Sequence, residues 1–265
     1  MQEIFTSGWS LPDAYHEALV QLYRYGDITP CPDWNTEQKE CAMTFLVNEP
    51  LREPMISRCI IGGPEDLEQY RQEMLDGILD FEVGKGNWSY TYHRRMVDYD
   101  KYGSSLGLDA IDQIQFVVEE LRRNPYSRRA VIDVRNNFDD MGADDPACLQ
   151  HLQLFIRDGK LHLKALFRSN DAIEAAFFNA FALVMLQKRI ADELGVEVGT
   201  YTHRANSFHV YKKNYGMLES VVKRYEAAKP MKYYYEGDWK ELMEEAKPRI
   251  AEKVRRLREE HEKKE

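Results

Sequence analysis

The chain has 265 residues, 43% hydrophobic and 12% aromatic, which is enough to close a sizeable core in one domain, and its formal net charge is −9. That charge excludes a broad electropositive surface for a nucleic-acid backbone, and no apolar run approaches the roughly 18–20 residues that cross a bilayer. The opening residues lack a basic segment followed by an apolar one, so a cytoplasmic protein with neither nucleic-acid nor membrane partners is expected. Cys31, Cys41, Cys59 and Cys148 are irregularly spaced without a CxxC pair, which points to reduced thiols and no metal site.

In chain order, "SGWSLPDAYHEALVQLYRYG" sets a serine and a proline before an apolar face at helical spacing and predicts a helix ending at Gly26. "ECAMTFLV" and "MISRCII" follow as strands, and "GGPEDLEQYRQEMLDGIL" turns into a helix. "GLDAIDQIQFVVEELRRN" predicts another, with Ile111, Ile114, Val117, Val118 and Leu121 as its buried stripe and Asn124 and Pro125 as its stop. "RRAVIDV" alternates as a strand, then "LQHLQLFIR" and "LHLKALFRS" form a hairpin about "DGK". "AFFNAFALVMLQKRIADELG" is the most apolar long helix, closed by Gly195, and should be central. After the strand "EVGTYTHRANSFHVY" and a further helix, the charge-dense end predicts an exposed helix held by pairs four apart. Helices around strands, with hairpins among them, indicate an α+β fold with a main domain over 1–236 and a charged helical extension over 237–265. Neither GxGxxG nor GxxxxGK[ST] occurs.

Three groups of residues could carry chemistry. Cys148 lies at the mouth of the hairpin, and a lone cysteine is more often a small buried residue, unless a nearby guanidinium populates its thiolate. Arg128, Arg129 and Arg168, the last followed by Ser169, stand at strand or loop ends, where guanidinium forks and a hydroxyl can surround a phosphate or merely form surface pairs. In "RSNDAIEAAFFNAF", Asp171 begins a helix and Asn179 lies two turns on in an apolar setting. Its amide could read a uracil edge or cross-link backbone. His209 and Tyr211, two apart on a strand, share one face and could hold a sugar hydroxyl or pack together in the core.

"NPYSRRAVI", "DPACLQHLQLFIRDGKLHLKALFRSND", "FFNAFAL" and "SFHVY", in this order and spacing, resemble the thymidylate synthase family, including its pyrimidine nucleotide hydroxymethylase relatives. The resemblance covers about residues 105 to 225, with a weaker match at "DLEQYRQEMLDGIL" and "WSYTYHRR", and "ACLQ" looks like the short archaeal-type synthases, with Leu149 where the common bacterial enzyme has histidine. It implies a homodimer packed sheet to sheet, in which Cys148 attacks C6 of a pyrimidine nucleoside 5'-monophosphate. C5 then takes a one-carbon unit from 5,10-methylenetetrahydrofolate or a tetrahydropterin analogue. Asn179 would meet the charge developing on O4, with Asp171 at the pyrimidine edge. Arg168 and Ser169 would bind phosphate from one subunit, with Arg128 and Arg129 reaching across the dimer, and His209 and Tyr211 would hold the ribose.

By the same resemblance Tyr90, with Tyr92 competing, takes the place of the tyrosine tied to C5 proton removal. The general acid/base carboxylate falls at Asp66, with Glu65 and Glu68 beside it. An amide at Asn179, where the deoxycytidylate hydroxymethylases carry aspartate, favours dUMP to dTMP. Hydroxymethylation of dUMP, dCMP or CMP is the rival reading, and a catalytically silent nucleotide-binding homologue the third.

Overall fold

The computed structural model describes residues 1–83, 88–98 and 110–263. Its strands are β1 (Glu3–Gly8), β2 (Asp27–Cys31), β3 (Thr36–Val47), β4 (Ile56–Ser57), β5 (Val131–Asp133), β6 (Leu149–Arg157), β7 (Lys160–Phe167), β8 (Asn170–Asp171), β9 (Glu197–Tyr211) and β10 (Lys232–Tyr233). The main helices are α1 (Leu11–Tyr25), α2 (Pro64–Asp76), α3 (Tyr92–Val97), α4 (Gln113–Arg123), α5 (Ala176–Leu194), α6 (Tyr215–Glu226) and α7 (Lys240–Glu262). The main sheet runs β1-β3-β9-β7-β6-β5, with β2 also on β3 and β8 also on β9. β1–β3, β7–β9 and β8–β9 are parallel and the other pairs antiparallel, so the expected α+β class is what the chain adopts.

Period-two alternation explains the faces of this sheet. Leu161, Leu163, Ala165 and Phe167 of β7 are buried, as are Leu152, Leu154 and Ile156 of β6, whereas Gln153, Phe155, His162 and Lys164 between them are not. On the covered face lies α5, buried along most of its length as its composition predicts and ended by Gly195 in the left-handed region at φ 67°. Gln187 of α5 donates to Leu161 O at 2.7 Å and Thr200 O at 3.1 Å, tying the helix across β7 and β9.

Strand direction then decides where the site lies. The antiparallel β6–β7 pair sets Leu149 opposite Phe167, and the parallel β7–β9 pair sets Phe167 opposite Ala205. The residues just before β6, just after β7, in β8 and at the end of β9 therefore converge at one end of the sheet, where α5 also begins.

The structure corrects several sequence expectations. The segment before α1 forms β1, and the helix starts only after Ser10, whose hydroxyl accepts from Asp13 N while Asp13 accepts from Ser10 N. "MISRCII" is no full strand: two residues pair with β10, after which Ser57 Oγ accepts from Cys59 N and bends the chain away. Residues 107–109 of the stretch expected to begin α4 lie outside the described residues. Asp112 caps α4, so Ile111 precedes the helix and is exposed rather than part of its stripe. The exposed C-terminal helix has a buried seam, Met243, Ala246 and Ile250, against α2.

Candidate active site

Cys148 immediately precedes β6 and lines a cavity of about 620 Å³ together with Arg168, Ser169, Asp171, Asn179, His209 and Tyr211. These seven come from four separate stretches of chain, and the fold brings them together. Arg168 organises the loop that carries Cys148: its Nη2 donates to Pro146 O at 2.5 Å, its Nε to Ala147 O at 3.2 Å, and its backbone N–H to Cys148 O at 2.9 Å. Burial pushes the Cys148 thiol up, the Arg168 guanidinium opposes that, and Asp145, 3.7 Å from Arg168, adds to it.

The opposite part of the cavity is held by β8, β9 and the first turn of α5. Oδ1 of Asp171 accepts from Ile173 N at 2.8 Å and Glu174 N at 2.7 Å, while its buried Oδ2 has no partner among the described residues. Burial raises the pKa of Asp171 and lowers that of His209, which lies beside it in strand register. Nδ1 of His209 sits 3.3 Å from Ser169 Oγ, and its ring meets Tyr211 edge-on at 4.9 Å. Behind them Asn170 bonds the fully buried His203 at 2.9 Å, a ring stacked between Phe45 and Phe167 that burial pushes down to about 3.

A second cavity of about 260 Å³ adjoins the first, and Tyr70, Tyr92 and Asp145 line both. Its walls include Trp88, Tyr90, Met74, Leu79 and Glu73, whose carboxyl burial raises. Tyr90, pushed up to about 12 by burial with Cys148 and Asp145 adding, stands in this second cavity 5.6 Å from the Tyr92 ring. Tyr92 accepts from Leu149 N at 3.3 Å, so it is tied to the backbone at the start of β6, next to Cys148.

Two expected carboxylates are elsewhere. Asp66 is exposed and accepts from Gly63 N at 2.8 Å, capping α2. Glu68 lines neither cavity and is buried against Arg71, with bonds of 2.7 and 2.8 Å. The carboxylate that α2 brings to a cavity wall is Glu73, with Tyr70 three residues before it on the same face. The spacing in "YRQE" is the sequence signal that carries this pair. Arg128 and Arg129 do not line either cavity: Arg129 is held by the buried Glu120 at 3.0 Å, and Arg128 is exposed beside it.

A family model described as thymidylate synthase matches residues 64–244, from the first residue of α2 into α7. The chain belongs to the thymidylate synthase family. Among its thymidylate synthase relatives is a protein of Methanocaldococcus jannaschii named "Putative thymidylate synthase", 32% identical over 210 residues, 76% of this chain and 88% of that one. A thymidylate synthase of Bacillus subtilis subsp. natto is 32% identical over 161 residues, 59% of this chain and 51% of that protein. The solved thermostable thymidylate synthase A from Bacillus subtilis has a TM-score of 0.64 at 18% identity, over 81% of this chain and 84% of its own, a likeness of fold. Thymidylate synthase-like one-carbon transfer is thus the class of chemistry, carried out by a methyltransferase-type enzyme. No helix among the described residues is long and apolar enough to cross a membrane, and none of their His, Cys, Asp and Glu side chains cluster as a metal site.

Proposed function

We propose that the protein transfers a one-carbon unit from 5,10-methylenetetrahydrofolate, or a tetrahydropterin analogue, to C5 of dUMP, giving dTMP. The observation that carries this reading is that the Cys148 thiol and the buried Asn179 amide line one cavity with Arg168. Addition of the thiolate to C6 makes C5 nucleophilic and drives negative charge onto O4. An amide already fixed in a water-poor wall stabilises that charge without reorganising, the kind of contact whose loss typically slows turnover by about a hundredfold or more. Arg168 and Ser169 bind phosphate, and His209 and Tyr211 hold the ribose.

The second cavity suits a flat, hydrogen-bonding heterocycle: Trp88 and Tyr90 offer aromatic faces, and Glu73 a carboxyl held in an apolar wall. Bound there, the folate would supply both the methylene carbon, which replaces the C5 proton, and the hydride that reduces it to methyl as Cys148 leaves C6, so that the tetrahydrofolate departs as dihydrofolate. Glu73 would orient its N–H groups, and Tyr90, between that cavity and Cys148, would act at the C5 proton. Glu73 takes the place that Asp66 and Glu68 held in the sequence reading.

Charge supports a homodimer. Among the described residues, Asp33, Asp144, Asp145 and Asp171 line the nucleotide cavity, against the single guanidinium of Arg168. A phosphate dianion needs more positive charge, which Arg128 and Arg129 of a second copy provide in the sheet-to-sheet arrangement.

Incubation with [5-3H]dUMP, dCMP or CMP plus methylenetetrahydrofolate tests the reading. Tritium release from dUMP with a product of dTMP mass is expected, and Cys148→Ala should abolish it. Release from dCMP or CMP alone would replace the substrate, and a hydroxymethyl mass would replace the product. No turnover with any of the three would leave a silent homologue.

A further inference from the structure

Tyr70 lines both cavities, so its phenol stands in the wall between them. Its ring meets Phe178 edge-on at 5.8 Å, and its hydroxyl donates to Oδ1 of Asn179. Burial, with Glu73, Tyr90 and Cys148 adding, holds the phenol above its ordinary pKa of 10.0, so it keeps its proton at neutral pH.

A side-chain amide can present either end to a ligand. A C4 carbonyl requires the Nδ2 donor to face the base, whereas a C4 amine requires Oδ1. The second lone pair of Oδ1 remains available for an N3–H. Turning the amide over would aim Nδ2 at the Tyr70 hydroxyl and leave the phenol proton without an acceptor among the described residues, a costly loss for a buried donor.

On the reading that a pyrimidine nucleotide binds beside Cys148, we propose that Tyr70 is the positioning residue that locks Asn179 with Nδ2 toward the base. It thereby makes the site select a pyrimidine with a C4 carbonyl over one with a C4 amine. The discrimination resides in the Tyr70–Asn179 pair, one residue from α2 and one from α5, rather than in Asn179 alone.

Tyr70→Phe in the full chain tests this, because it keeps the ring against Phe178 and removes only the hydroxyl. Affinities for dUMP and dCMP are measured by calorimetry, and kcat and KM on dUMP with methylenetetrahydrofolate. The expected result is a kcat about tenfold to a hundredfold lower, as misplacement of a reacting contact produces, and a dUMP-to-dCMP affinity ratio at least about fivefold smaller. A role in packing alone would weaken both nucleotides alike, so an unchanged ratio overturns the proposal. Should the phenylalanine variant fail to give the wild-type melting transition, Tyr70→Leu is read by the same ratio. Mass detection of a Cys148 adduct with 5-fluoro-dUMP separates the two possible failures. A wild-type protein without adduct overturns the pyrimidine reading, whereas adduct formation with an unchanged ratio in the variant overturns the Tyr70 proposal only.

Discussion

At the start of β6 the Cys148 sulfur is subject to opposed influences, since burial and Asp145 disfavour its thiolate and Arg168 favours it. The same guanidinium holds the carbonyls of Pro146 and Ala147, so one side chain influences both the position and the charge environment of Cys148. Removing Arg168's charge should raise the pH at which iodoacetamide alkylates Cys148, and Asp145→Asn should lower it, each by about one pH unit. Arg168→Lys, which keeps the charge, should move the profile much less than Arg168→Ala. Profiles that coincide for wild type, Arg168→Ala and Asp145→Asn would show that neither charge reaches the sulfur. The types and spacing of Cys148, Arg168, Asp171, Asn179 and His209 are visible in the sequence because they belong to short, continuous motifs. Tyr70 and Glu73 show in the sequence only as a three-residue spacing, and whether that spacing matters depends on which side of α2 faces α5.

Among the elements, α2 matters most to the site and is held on two sides. α5 supports the face bearing Tyr70, and α7 supports the other through Met243, Ala246 and Ile250, with Arg249–Glu65 at 2.7 Å and Lys253–Gln69 at 2.7 Å at the rim. At the far end of α7, the buried His261 bonds Glu82 at 2.9 Å, fastening it beside the short turn of helix Asp80–Glu82. The charge-dense extension thus acts as a brace, and its few apolar residues at i, i+3 and i+7 carry the contact. Ile250→Ala should cost about 2–4 kcal/mol, read from urea denaturation, since it removes a buried side chain from a seam that cannot collapse easily. A midpoint equal to wild type would show that the helix is a passive appendage. Surface pairs such as Glu252 with Arg255 and Arg256 should each contribute far less.

For the whole molecule, the decisive quantity is the charge around the Cys148 cavity. Among the described residues one chain supplies four carboxylates and a single arginine there, while Arg128 and Arg129 sit outside it at the strand edge. If the second copy completes the site, chains carrying Cys148→Ala and chains carrying Arg128→Ala with Arg129→Ala should each be inactive alone. Unfolded and refolded as an equal mixture, they should recover about a quarter of wild-type activity, because half the dimers are mixed and each holds one intact site. No recovery, with dimers present by sedimentation, would place both arginines in the service of their own chain.

The sequence by itself determined the α+β class, the hairpin about Asp158–Gly159, the central apolar helix α5 and the motif residues around Cys148. Those features rest on local periodicity, turn chemistry and short contiguous patterns. It left β1 and β2 unseen, stretched β4 to seven residues and pointed on α2 to Asp66 and Glu68, which line neither cavity, where Glu73 lines one. Edge strands are selected by the neighbour they pair with, and the useful face of a helix by what packs against it. Neither is a property of the segment alone. That Tyr70 meets Asn179 followed only from the tertiary structure, because two residues 109 positions apart are brought together by α2 packing on α5 and by nothing local.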